Sequence, residues 1–175
     1  ELVDLDDNIM SHEDCDELGY ALAGDNFKSI ADSGEIDFAR SIGGHRIRVN
    51  LYRQQCHLSG ALRILNDGIP ELNSLGLPDI ISKLTDTKRG IVLVTGETGS
   101  GKSTTLAALL DKINHSRRKH IITLEDPIEY QYKSDLCVID QREIGRDTES
   151  YESGMKAILR EDPDVILIGE MRSLD

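Results

Sequence analysis

Lysine and arginine are absent from residues 1 to 27, where Glu1, Asp4, Asp6, Asp7, Glu13, Asp14, Asp16 and Glu17 crowd together. The 175-residue chain carries a formal net charge of -12. Nucleic-acid binding draws on clustered cations that displace counterions from phosphates, so direct contact with nucleic acid is not expected. The acidic run reads as a solvated face.

Cysteine is scarce: Cys15, Cys56 and Cys137 are odd in number and far apart, without the paired spacing of zinc or redox sites. Free thiols in a reducing compartment follow. No apolar run approaches the roughly 18 residues that a bilayer-spanning helix needs, and no signal-peptide pattern is visible. A cytosolic location is the expectation. His12, His115 and His120 lack metal-ligand spacing and read as surface residues. Repeats and low-complexity tracts are missing as well. The chain opens on Glu1 and stops at Asp175 without a turn or helix-ending signal, so truncation at both ends is expected.

What is present is patterned. In residues 45 to 53, HRIRVNLYR, Ile47, Val49 and Leu51 alternate with Arg46, Arg48, Asn50 and Tyr52, the mark of a half-buried strand with arginines on its exposed side. GALRIL, 60 to 65, predicts a second strand carrying Arg63. Between Gly68 and Lys88, prolines, glycines and a polar stretch predict a connection with one short helix. A domain boundary is placed near residue 84, giving domains 1–84 and 85–175.

Beyond it, strand and helix patterns alternate. GIVLVT, 90 to 95, predicts a fully buried parallel strand. Leu106, Leu109, Leu110 and Ile113 share one helical face. HIITLE and LCVID predict further strands. Tyr151, Met155, Ile158 and Leu159 mark another amphipathic helix stopped by Pro163, and VILIG predicts a last strand. Such alternation predicts an α/β domain with a parallel sheet. Lys112, Arg117, Arg118 and Lys119 cluster near a helix end, where they complement the helix dipole or serve a subunit contact.

Between the first of these strands and the helix lies LVTGETGSGKSTTL. Gly96, Gly101, Lys102 and Ser103 satisfy G-x-x-x-x-G-K-[ST], with Gly99 as a further glycine. Glycines let backbone amides turn toward phosphate oxygens, the helix N-terminus adds positive potential, Lys102 reaches the terminal phosphates and Ser103 offers a hydroxyl to Mg²⁺. ATP and Mg²⁺ are therefore the expected ligands. Turnover also needs carboxylates near the metal and the attacking water. Glu170 closes the strand DVILIG, and Glu125 with Asp126 closes IITL, so these acids are expected at the carboxyl edge of the sheet, where open α/β sheets bind ligands.

These blocks, with RIRVNLYRQQCHLSGALR upstream and QREIGRDTESYESGMKAILREDPDVILIGEMR downstream, resemble the type II/IV secretion ATPase superfamily, most closely its pilus-retraction branch. The resemblance covers about residues 35 to 172 and rests on four blocks in the family's order. It implies a PAS-like N-terminal α+β domain joined to a RecA-like P-loop ATPase core with a parallel sheet, assembled as a homo-hexameric motor. Gly96, Glu97, Thr98, Gly99, Ser100, Gly101, Lys102, Ser103 and Thr104 would form the Walker A loop, Ile121 to Glu129 the aspartate box and Val165 to Glu170 the Walker B strand. Lys102, Glu125 and Glu170 would be catalytic, with Ser103 and Glu170 on the metal. Which of Glu125 and Glu170 orients water stays open.

The resemblance also implies that Arg48 and Arg63 approach the γ-phosphate; a solvated strand face is the alternative. Its implied partner is an inner-membrane platform protein of a pilus or secretion machine, which places the motor at the inner face of the cell membrane. Two departures stand out: QCH, with Cys56 and His57, occupies the place of a third arginine, and Glu97 stands where proline is usual. The function so implied is pilus retraction and twitching motility. A secretion or pilus-assembly ATPase, or a nucleotide-binding regulatory module without turnover, are the alternatives.

Overall fold

In the computed structural model, which describes residues 3–4, 7–65 and 68–171, the chain divides into two compact units, residues 1–65 and 66–175. Glu1, Asp6 and the Arg172 of the GEMR block lie outside the described residues.

The first unit begins with helix α1, His12–Ala23. Ser11 starts it because its Oγ accepts the Asp14 amide at 3.2 Å while the Asp14 carboxylate accepts the Ser11 amide at 2.8 Å. The far end has no basic residue in its last turn. Arg40, arriving from a strand, donates to the carbonyls of Ala21 and Leu22 instead. A short helix α2, Ser29–Ser33, leads into an antiparallel meander of β1 (Glu35–Ile42), β2 (His45–Gln54) and β3 (His57–Ile64).

The alternation in β2 has its expected consequence. Val49 and Leu51 are buried with Leu22, Ile30 and Leu58. α1 packs closely at Gly19, where a Cβ would meet Leu58 Cδ2 at 2.3 Å, so only glycine fits. The β2–β3 turn carries positive φ at Gln55 (48°) and Cys56 (69°), as a two-residue hairpin of primed type requires.

The second unit holds the parallel sheet, with β4 (His120–Glu125) between β5 (Val138–Glu143) and β6 (Val165–Ile168). The centre of β4 is sealed because both of its edges are paired and helices cover its faces; Ile121, Ile122, Thr123 and Leu124 are all fully buried. Helix α4, Lys102–Ser116, lays Leu106, Leu110 and Ile113 against Ile121 and Leu167. Helix α5, Tyr151–Ile158, lays Tyr151, Met155 and Ile158 against Ile122 and Leu124.

Several expectations are corrected. Residues 90–95 do not form a buried strand: 91–97 take no regular secondary structure and pair with no strand among the described residues, and Ile91 is 87% exposed. An apolar run becomes a strand only by pairing with the edge of another, and this run makes no such pairing among the described residues. The division falls at 65/66 rather than near 84, because the stretch after it packs onto α4. Leu72 is buried with Ala108 and Leu109, and Ile81 and Leu84 close over them, around the short helix α3, Asp79–Lys83. The α4 face read as single is thus split, with Leu109 turned to this second layer.

Leu159 is exposed, since α5 ends at Ile158 and Leu159 is its cap. β5 begins at Val138, and Cys137 points into the core instead, its Sγ donating to the Arg117 carbonyl at 3.1 Å. The basic cluster makes tertiary ties: Lys112 to Ser82, Arg117 to Asp86, and Lys119 to Asp164 at 2.6 Å. Among the described residues no helix is long and apolar enough to cross a membrane.

Candidate nucleotide site

The loop ahead of α4 is shaped by its glycines. Gly99 (φ 83°) and Gly101 (φ 90°) sit in the left-handed region. Gly101 also caps α4, which has no side-chain cap at its N-terminus. The first-turn amides of a helix have no acceptor within it, so they face an anion together with the positive end of the dipole. Lys102 folds back over the loop, its Nζ donating to the carbonyls of Gly96 and Glu97 at 2.8 Å each. Ser103 is exposed in the first turn.

α4 runs antiparallel to β4. At its C-terminal end Asn114, fully buried, donates Nδ2 to the Lys133 carbonyl at 2.9 Å and accepts the Asp135 amide at 3.0 Å, just ahead of β5. At its N-terminal end the Thr104 hydroxyl meets the Tyr130 hydroxyl at 2.9 Å, in the loop that follows β4. The glycine loop therefore opens toward the carboxyl edge of the sheet.

That edge carries the two glutamates. Glu125 ends β4, half-buried, and its Oε1 accepts from Thr123 Oγ1 at 2.6 Å and from Gln141 Nε2 at 3.3 Å. Burial pushes its carboxyl above the ordinary range, while these two donors pull in the opposite direction. Glu170 follows β6, and the Gly169 amide before it donates to the Leu124 carbonyl at 2.8 Å. A Cβ at Gly169 would lie 3.3 Å from Glu125 Cα, so the glycine lets the two strand ends lie side by side. Asp126, next to Glu125, is exposed.

Two residues of this edge escaped the sequence reading. Gln141 donates to the Tyr130 carbonyl at 2.8 Å and accepts the Tyr132 amide at 2.9 Å, besides reaching Glu125. Glu143, 4% exposed, accepts the Ile128 amide at 3.2 Å through Oε2, and its own amide donates to Asp147. Nothing local in QRE announces either contact, because both partners lie on the loop that follows β4.

Arg48 and Arg63 belong to the other unit, where they face each other in register across β2 and β3. Arg48 is held by Asp37, with Nε at 3.2 and 3.1 Å from its carboxylate oxygens and Nη2 at 2.5 Å. Arg63 is exposed. Cys56 is exposed in the hairpin turn, and the His57 ring stacks on His12 with centroids 3.5 Å apart. None of the described His, Cys, Asp and Glu residues cluster as a preformed metal cage. Mg²⁺ that arrives on a nucleotide needs only one or two protein oxygens. Ser103 and Glu170 are hard oxygen donors of that kind, and the loop amides with Lys102 suit phosphate oxygens.

Comparison with known proteins places this arrangement. The family profile described as type II/IV secretion system protein matches residues 58–175. The chain is 48% identical over 144 residues to YggR of Escherichia coli (strain K12), covering 82% of this chain and 44% of that protein. It is 40% identical over 168 residues to the type IV pilus retraction ATPase PilT of Pseudomonas aeruginosa (strain PAO1), covering 95% of this chain and 49% of that protein. A crystal structure of the pilus retraction motor PilT with bound ADP superposes with a TM-score of 0.87 at 46% identity, over 90% of this chain and 47% of that one. The chain thus spans about half the length of the relatives it matches.

Proposed function

The chain belongs to the type II/IV secretion ATPase family, in its pilus-retraction branch, and from that premise we propose that it is part of a Mg²⁺-dependent ATPase that powers pilus retraction. The observation that carries the reading is the placement of a glycine loop with Lys102 at the N-terminus of α4, opening toward the sheet edge where Glu125 ends β4 and Glu170 follows β6.

In this reading the triphosphate lies on the amides of Gly96 to Thr104. Lys102 exchanges its two loop carbonyls for phosphate oxygens. Ser103 and Glu170 would hold Mg²⁺, which would supply charge neutralisation on the phosphates, and Glu125 or Glu170 would orient the attacking water. A half-buried carboxylate whose proton affinity is raised by desolvation, such as Glu125, suits that second task. Arg48 and Arg63, in register across β2 and β3, are the candidate phosphate-sensing cations of the assembled protein. The working protein is a homo-hexamer on the cytoplasmic side of the inner membrane, docked on a platform protein.

Complementation tests the retraction assignment. Full-length protein supplied to a twitching bacterium that lacks its own retraction ATPase is expected to restore motility and clear accumulated surface pili, whereas Glu170→Gln is not. Size-exclusion chromatography of the same proteins is expected to give a hexamer. Hydrolysis without restored retraction would move the assignment to the secretion ATPases of the same family. Tight nucleotide binding with no hydrolysis would leave a regulatory module.

A further inference from the structure

The function of Gln141 is not accounted for by nucleotide binding, yet its side chain makes three hydrogen bonds at the sheet edge. Its amide has one acceptor oxygen and two donor hydrogens. The oxygen takes the Tyr132 amide at 2.9 Å, and Nε2 donates to the Tyr130 carbonyl at 2.8 Å and to Glu125 Oε1 at 3.3 Å. Thr123 Oγ1 donates to that same Glu125 oxygen at 2.6 Å. Two donors, one from β4 and one from β5, thus converge on a single carboxylate oxygen and select one rotamer of a long, otherwise variable side chain.

Tyr130 adds a second link. Its carbonyl is held by Gln141 and its hydroxyl meets Thr104 in the first turn of α4. One loop residue therefore registers the helix that carries the phosphate-facing amides against the strand end that carries Glu125.

Resting on the reading of Glu125 as a carboxylate of the hydrolytic site, we propose that Gln141 is a positioning residue, whose amide fixes Glu125 and the loop 126–132 in the arrangement that hydrolysis requires. No smaller change reproduces it. Asparagine is one carbon too short to span the same three partners, glutamate keeps the length and an acceptor but loses both donors, and leucine keeps the bulk alone. Nucleotide affinity is set by the glycine loop and Lys102, which Gln141 does not touch, so the effect belongs in kcat. Small misplacements of reacting groups cost about 10²-fold in rate.

The test measures steady-state hydrolysis of MgATP and binding of a fluorescent ADP by the full-length protein, as wild type, Gln141→Leu, Gln141→Glu, Glu125→Gln and the Glu125→Gln/Gln141→Leu double variant. Both Gln141 variants are expected to lose about 10- to 100-fold in kcat with ADP affinity within about twofold of wild type. In the Glu125→Gln background, Gln141→Leu is expected to add no further loss, because it acts through that carboxylate. If Gln141→Leu destabilises the loop, the isosteric Gln141→Glu carries the test, with unfolding curves checking both. Wild-type kcat in the Gln141 variants while Glu125→Gln is inactive would overturn the positioning role alone, as would an equal loss in both backgrounds. Wild-type kcat in Glu125→Gln would overturn the assignment of Glu125, and the positioning role with it.

Discussion

Residues 90–95, GIVLVT, and 120–125, HIITLE, are both six residues long and rich in β-branched side chains, yet the more apolar of the two has the more exposed fate. The second is β4, paired on both edges and buried from Ile121 to Leu124. The first forms no strand, is unpaired among the described residues, and is exposed at Ile91, Val92 and Leu93. Composition supplies the preference for an extended backbone, while pairing and cover come from the rest of the fold. Apolar content alone therefore says little about how much a strand contributes to stability.

The largest effect that sharpens the contrast is in β4. Ile122→Ala removes a fully buried side chain between β5, β6 and α5 and is expected to destabilise the chain by about 2–5 kcal/mol in urea unfolding. A loss under about 1 kcal/mol would mean that β4 is not the centre of this unit. Next comes the cover over it. Ser150 Oγ accepts the Ser153 amide at 3.1 Å and starts α5, so Ser150→Ala is expected to cost about 1 kcal/mol by the same measurement.

A smaller effect is pH-dependent. His120 opens β4, and its Nε2 lies 2.9 Å from Asp140 Oδ2 on β5, which raises the imidazole above its ordinary value. A raised folded value means that the contribution is fully present below the unfolded value of about 6.5 and fades as pH rises through the higher folded value. Wild type is thus expected to exceed His120→Gln in stability at pH 6 by less than about 1 kcal/mol, since Asp140 is solvent-screened, and the gap should close by pH 9. A gap that widened with pH would contradict the pairing. Smallest of all, Ile91→Ser in the unpaired segment is expected to change the stability of this chain by less than about 0.5 kcal/mol. A loss comparable to that of Ile122→Ala would show that 91–95 is covered after all.

What the sequence made legible follows the same division. The glycine loop was readable because its chemistry resides in backbone freedom and one lysine at fixed spacing, which needs no tertiary partner. β2, β4 and β6 were readable from alternation or apolar runs, and the parallel sheet from their interleaving with helices. The boundary was misplaced because Leu72, Ile81 and Leu84 are too sparse to announce a core, and only α4 makes them one. Gln141 and Glu143 were invisible for a related reason. Their partners, the amides of Tyr132 and Ile128, are reached only once the loop after β4 folds back on β5. The Asp37 that holds Arg48 lies on a neighbouring strand and likewise left no local trace.

Steady-state hydrolysis of MgATP by the full-length protein, beside Lys102→Ala and Glu170→Gln, tests the central claim most directly. The account predicts Mg²⁺-dependent turnover in wild type and a loss of at least about 100-fold in both variants, with ATP affinity weakened mainly by Lys102→Ala. Turnover that survives both substitutions would contradict it, because hydrolysis would then occur at some site other than the glycine loop and the adjoining strand ends.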